Sequence, residues 1–383
     1  MRLVSHDPIS IIWQTLARYE SRELAKKLLL RKSIRSDVPA LSEECLEQKA
    51  IALAYCLRNA KEYCSVQPTS LTTAATLNYY GCIWLAAATA VANPTLDVSL
   101  ASLEESSKSG HGLRNLPPGQ GSFPDNECVY ISQKGLFVEY LKWTGLSSKE
   151  VKSICMPGAY PETVEEADQN LLIRLPDLFA RIPELWAVFQ EISDKPSVTY
   201  SVGLDSGPNQ EENMEDAKAK SGAAIPPFTL ERTRNYSWIA VYGPTSVDAE
   251  FYTASGLPLV NMQKRKMLNQ EYWSGKLFHP PGTFWTDTLK VYRSPQTQDL
   301  HWIQPLLNKI ADPIALHLIL LYHLSILARY RPAIWREILE GRYDAYRSLI
   351  LSYNDVLARV VPQLVLERII GAGVRVSLPG TLG

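Results

Sequence analysis

Fifteen consecutive residues toward the C-terminal end, Pro313 to Leu327 (PIALHLILLYHLSIL), carry no charge beyond what His317 and His323 bear. A segment that is apolar on nearly every side has no solvent-facing stripe and must be covered by other protein, so it predicts the central rod of a helical core. The run falls short of the roughly 18 to 20 residues that a bilayer crossing needs, and its histidines and Tyr322 suit burial in protein better than lipid. It leads straight into Ala328-Arg329-Tyr330-Arg331-Pro332-Ala333-Ile334-Trp335. Pro332 cannot continue the ladder of the preceding turn, so it ends one helix and restarts another at a first-turn position. Two arginines, a tyrosine and a tryptophan are thereby delivered to one corner, the first place to look for a site.

Composition narrows the classes. With 383 residues, 46% hydrophobic, nine Trp and nineteen Tyr, the chain has material for a sizeable core in one large or two ordinary domains. A net charge of -1 argues against a broad basic footprint for duplex DNA, while leaving room for a local basic pocket. The stretch Met1 to Pro8 lacks a basic and then apolar leader pattern, so a cytoplasmic protein without membrane association is expected. Six cysteines (Cys45, Cys56, Cys64, Cys82, Cys128, Cys155) show neither C-x-x-C nor metal-ligand spacing and read as small core residues. No P-loop, dinucleotide fingerprint, nucleophile elbow or zincin motif occurs, so no cofactor and no metal are expected, and no motif specifies a reaction.

The fold class expected is mainly α (α+β), a helical bundle with an inserted small antiparallel β-sheet. Residues 1–195 read as helical: Trp13, Leu16 and Ala17 form an apolar stripe, Ser42 opens a helix to about Cys64, and Leu71 to Ala92 is a run rich in small residues ended by Asn93-Pro94. Ser147-x-x-Glu150 and Thr163-x-x-Glu166 are capping boxes, each expected to open a helix. From Pro196 the period becomes alternating, and 196–300 reads as the inserted β-rich region. It holds strands at Ser197–Leu204, Thr229–Arg232, Ser237–Tyr242, Glu250–Thr253 and Thr286–Arg293, with a polar flexible loop at 205–227. Helix resumes at about Ile303, making 301–383 a C-terminal helical region packed on the N-terminal helices.

Candidate binding residues fall into two groups. His111-Gly112 sits in a Gly/Ser/Pro-rich loop, where a histidine has no core to fill and the glycine admits close approach of a ligand or another backbone; Arg114, Lys134 and Lys276 add positive charge. At the helix break, Arg329 and Arg331 offer guanidinium groups to a phosphate or carboxylate, beside Tyr330 and Trp335; equally, they can be struts paired with Glu337 or Asp344. His317 and His323 are either satisfied core residues or a buried proton carrier. Trp335 reads first as a core anchor, and Lys264-Arg265-Lys266 as a solvated face or a charged guard flanking the sheet.

Three patches taken together, Leu77-Asn78-Tyr79-Tyr80-Gly81, His111-Gly112-Leu113 with Lys134-Gly135-Leu136-Phe137, and Leu324 through Trp335, resemble the YaaC-like family of bacterial proteins. Trp13-x-x-Leu16-x-x-Tyr19 and the Lys49–Cys64 helix extend the likeness. The resemblance implies a mainly helical cytosolic protein related to the HEPN bundles of bacterial stress and antiphage systems. Active HEPN ribonucleases carry an Arg, four to six intervening residues and then a His; none of the six histidines here has an arginine at that spacing, Arg2 being only four positions before His6 and Arg293 eight before His301. The function expected is an interaction component of such a system, binding a protein partner or a nucleotide or single-stranded nucleic-acid phosphate. Two alternatives stand beside it: a ribonuclease or nucleotide-acting enzyme with a non-standard His/Arg site, and a self-assembling structural subunit, a homo-oligomer.

Overall fold

The computed structural model describes residues 1–35, 41–66, 68–205, 235–244, 246–267 and 270–380. The expected loop at 205–227, beyond its first residue, and the strand expected at 229–232 lie outside these. The chain divides into two compact units, Met1–Lys195 with Lys309–Gly383, and Pro196–Asn308.

In the first unit the helices are α1 (Pro8–Ala17), α2 (Arg22–Arg35), α3 (Glu43–Ser65), α4 (Leu71–Val91), α5 (Leu100–Lys108), α6 (Leu136–Trp143), α7 (Ser148–Ile154), α8 (Leu175–Phe179) and α9 (Trp186–Ile192). Two more, α10 (Ala249–Ala254) and α11 (Trp285–Leu289), belong to the second unit. The chain then returns to the first with α12 (Pro313–Tyr330), α13 (Pro332–Glu340) and α14 (Asp344–Ile370). Their starts follow capping chemistry: Asp7, Ser42, Ser70, Ser99, Ser147 and Asp312 each accept a first-turn N–H, satisfying donors that the helix itself leaves orphaned. Ser147 and Glu150 form the expected box. At Thr163 the Glu166 N–H does reach the hydroxyl at 3.4 Å, yet no helix follows. Asp168 takes the N–H of Asn170 instead, and this local bond competes with helix propagation.

The uncharged rod is α12. Ile314 through Ser325, Leu327 and Ala328 are all buried, and the helix packs chiefly on α4, which in turn packs on α3. Small residues make these approaches possible; a β-carbon on Gly81 of α4 would fall 2.5 Å from the sulfur of Cys64 on α3. By length and composition both α12 and α14 could span a bilayer, α12 reaching 18 residues rather than 15. In this fold 78% and 67% of those apolar windows are buried inside the protein, which makes them core helices.

Short strands complete the unit. β1 (Arg2–Val4) lies parallel to the last strand, Arg375–Ser377, and ties the two ends of the described chain together. β2 (Leu113–Asn115), β3 (Cys128–Ile131) and β4 (Ile173–Arg174) form an antiparallel sheet in that order.

The second unit is a six-stranded antiparallel sheet of β5 (Thr199–Asp205), β6 (Tyr236–Tyr242), β7 (Val260–Met267), β8 (Gln270–Phe278), β9 (Tyr292–Arg293) and β10 (Leu300–Ile303), ordered β7-β8-β6-β5-β10-β9. Alternate residues Tyr200, Val202, Ile239, Val241, Trp273 and Leu277 build its core with Trp285 and Trp302. Three expectations are corrected. Glu250–Thr253 is helical, because Asp248 caps the N–H of Phe251. Residues 286–289 are helical as well, with Asp287 reaching back to the N–H of Phe284, so only Tyr292 and Arg293 pair as strand. Leu300–Ile303 is β10, and helix waits for the Asp312 cap and Pro313. Lys264-Arg265-Lys266 lies within edge strand β7, where charge blocks pairing with a further strand.

One polar network anchors the rod. Asp312 accepts the N–H of Ala315 at 2.8 Å and the Tyr140 hydroxyl at 3.2 Å, and pairs with Arg368 of α14, which also donates to Tyr140 at 3.1 Å. Asp312→Ala removes a helix cap and leaves a half-buried guanidinium unpaired, a cost of about 2–4 kcal/mol. Its urea midpoint should drop with the slope unchanged. A midpoint equal to wild type would show that the network holds nothing in place.

Candidate functional site

His111 is positioned by two glycines. Gly112 (φ 81°) and Gly135 (φ 124°) let two loops cross in backbone contact; a β-carbon on Gly135 would fall 2.3 Å from the nitrogen of Gly112. Around that crossing Gly110 and His111 give their carbonyls to the N–H groups of Leu136 and Phe137, at 3.0 and 2.9 Å, and Gly112 accepts from Ser132 at 3.0 Å. The loop is thereby stitched to the start of α6, and its histidine ring lies against three tyrosines. Centroid separations are 5.4 Å to Tyr79, 6.4 Å to Tyr80 and 6.0 Å to Tyr322.

The electrostatics follow from this packing. Burial, and secondarily the positive charge of Arg329, lower the pKa of His111. Burial drives the Tyr79 phenol well above its ordinary value, and its hydroxyl lies 3.0 Å from Nδ1 of His111. With the protonated phenol as donor, the neutral imidazole carries its own proton on Nε2. Tyr322 is pushed up to about 12 by burial, against the opposing charges of Arg114 and Arg329. Arg114 itself stacks 3.6 Å above the Tyr160 ring and donates to the hydroxyl of Tyr130. Arg329 is held by the carbonyl and hydroxyl of Ser325, at 3.0 and 3.3 Å, with its guanidinium over Tyr330. His111, Arg114, Arg329 and Tyr330 thus gather around Tyr322.

The other candidates are engaged elsewhere. Arg331 pairs at 3.0 Å with the fully buried carboxylate of Glu127. It is an internal strut, with a partner 204 positions away rather than Glu337 or Asp344. Trp335 is a core anchor whose indole N–H donates to Thr72 at 2.8 Å. His317 is buried, stacks on Tyr353 and meets its hydroxyl at 3.1 Å. His323 is wholly buried, with neither ring nitrogen hydrogen-bonded among the described residues. Lys134 is exposed, its backbone carbonyl accepting from Ser132. Lys276 belongs to the second unit, 4.0 Å above the ring of Tyr236. All six cysteines are free thiols.

Beside His111 opens a cleft of about 720 Å³ between α3, α4 and α5, lined by Tyr55, Tyr63, Tyr80, Trp84, Glu104 and His111 among others. Small-molecule sites typically occupy about 300–1,000 Å³. Tyr55 meets Trp84 edge-on at 5.5 Å, and Tyr63 stacks on Tyr80 at 5.6 Å. Tyr80 belongs to the Leu77–Gly81 patch, but none of these aromatics stands out from the sequence as a binding residue. The signal was there: Tyr80, Ile83, Trp84 and Ala87 recur at helical spacing on α4, facing Tyr55 and Tyr63 on α3. Among the described residues no group of three or more His, Cys, Asp and Glu side chains is placed to hold a metal ion.

A family model described as YaaC-like protein matches residues 17–369. No curated protein and no solved structure matches the chain.

Two pH-dependent outcomes follow. An NMR titration should find His111 protonating below the ordinary imidazole range, and Arg329→Met should raise that pKa; an unmoved value would place the guanidinium too far away to matter. For His317, burial lowers the pKa from 6.5 to about 4. A base whose folded-state pKa is depressed disfavours folding once the unfolded chain takes up its proton. Stability should therefore be whole above pH 6.5 and fall by on the order of 3 kcal/mol as pH drops to 4. His317→Gln should flatten that slope, measured as urea unfolding free energy against pH, and an equal slope in the variant would contradict the assignment.

Proposed function

We propose that this chain, which belongs to the YaaC-like family, is a binding component that takes a nucleotide, or a nucleotide of a single-stranded nucleic acid, in the cleft beside His111. One observation carries this reading: an aromatic-walled cavity of ligand size ends on a histidine that feels the Arg329 charge. A nucleobase offers two faces to the rings of Tyr55, Tyr63, Tyr80 and Trp84, and base–aromatic stacking contributes roughly 1–3 kcal/mol per base. Beyond His111, the positive charges of Arg329 and Arg114 around Tyr322 supply the complement for a phosphate. A free organic cation would suit the aromatic rings and the Glu104 carboxylate, but would leave the two guanidinium groups beyond His111 without an anion.

The setting we assign is a bacterial stress or antiphage defence system, which rests on the family resemblance. A binding role is preferred to the ribonuclease alternative because His323 is wholly buried and Arg331 is tied to the buried carboxylate of Glu127. That leaves His111 and Arg329 as the histidine and arginine near one another.

The test is titration of the full chain with mononucleotides and a short single-stranded oligonucleotide, followed by intrinsic fluorescence and calorimetry. Trp84→Ala should weaken binding by roughly 1–3 kcal/mol. Arg329→Ala should reduce the slope of log affinity against log salt for the oligonucleotide by roughly 1. Absence of binding at millimolar nucleotide, or equal affinity in Trp84→Ala, would overturn the proposal. Cleavage of the oligonucleotide abolished by His111→Ala would replace it with the enzymatic alternative.

A further inference from the structure

Given the nucleotide reading, on which this inference rests, we infer that the cleft selects guanine over the other bases through the carboxylate of Glu104. Glu104 is the one carboxylate among the residues lining the cleft, which include no lysine or arginine. Its backbone carbonyl accepts from Ser107, but among the described residues its carboxylate has neither a hydrogen bond nor an ion pair, whereas the adjacent Glu105 pairs with Lys108. The helix that carries it is fixed at its start by the reciprocal Ser99–Ser102 capping bonds and seats Leu103 in the interior. Glu104 and Ser107, three positions apart, consequently share the face of α5 that borders the cleft.

An ionised carboxylate is acceptor-only, with two oxygens side by side. Set beside a ligand that already bears a negative phosphate, it is unfavourable unless the base brings N–H groups to it. Guanine alone among the common bases presents two adjacent donors on one edge, N1–H and the exocyclic N2–H, matching both carboxylate oxygens in parallel. Adenine and cytosine bring an amino group next to a ring acceptor, and that acceptor would face the second oxygen. Uracil brings one N–H flanked by two carbonyls, which the carboxylate repels. The charges are complementary in order along the ligand: the acidic group meets the base, while the guanidinium groups of Arg329 and Arg114 lie toward the phosphate, past the neutral ring of His111.

The experiment measures GMP, AMP, CMP and UMP binding to the full chain at one salt concentration, by calorimetry and Trp fluorescence, for wild type and Glu104→Gln. A bidentate pair of this kind discriminates by about 10- to 100-fold. Wild type should bind GMP tighter than the other three by that factor. Glu104→Gln, whose amide replaces one acceptor with a donor, should lose the preference and keep its affinity for UMP. Equal binding of all four by wild type, or a GMP preference that survives Glu104→Gln, overturns the inference while leaving the nucleotide-binding proposal standing. Failure of all four to bind removes both, and saturable binding of tetramethylammonium in their place reassigns the cleft to organic cations.

Discussion

Burial of one almost uncharged helix is the constraint from which the rest of this molecule follows. Residues 313–328 offer water no polar stripe, so α12 is stable only when enclosed, and α4 with its alanine-rich face does most of the enclosing, completed by α8, α13 and α14. The charges that must exist near such a rod are moved to its ends. At one end Asp312, Tyr140 and Arg368 satisfy each other and the first-turn N–H groups. At the other, Arg331 neutralises the buried Glu127, and Arg329 turns back onto Ser325.

The position of the site is a consequence of that enclosure. Tyr322 emerges from the rod against Tyr79 of α4, so the two helices bring their phenols to a common point, 5.7 Å between centroids. The glycine crossing at Gly112 and Gly135 then lays His111 over this point with little freedom, because its neighbouring carbonyls are committed to the first turn of α6. Desolvation holds the tyrosines as neutral phenols and the histidine as a neutral imidazole, the forms suited to donate or accept hydrogen bonds with a polar ligand. A packed aromatic centre of this type opens sideways into a cleft because α5 stands away from the α3 and α4 face that carries Tyr55 and Trp84.

Features set by local chemistry were legible in the sequence. The rod's burial, the Ser42, Ser147 and Pro332 boundaries and the close packing of the small-residue helix around Gly81 follow from composition, caps and period. The His111-Gly112 and Lys134-Gly135 motifs mark the two loops that cross, although the second glycine's role, to permit backbone contact with the first, is a matter of three-dimensional approach. What the sequence hid were pairings over long separations. Arg331 finds Glu127 and not the nearer Glu337, which Arg336 and Arg342 engage. The β7–β8 hairpin escaped notice because its edge strand carries three consecutive cations, Lys264 to Lys266, that mask the alternating pattern. Short helices at Ala249 and Trp285 were read as strands because aromatic content dominates so few residues, while a single aspartate at each cap decides the outcome.

The most direct test is to follow the ring resonances of His111 and Trp84 as a mononucleotide is added to the protein. A base seated against Trp84 with its phosphate past His111 predicts saturable shifts in both signals at one common affinity, while the enclosed His317 and His323 rings stay still. Binding measured by calorimetry with no change at either ring, or with changes confined to the second unit, would contradict the assignment of the cleft.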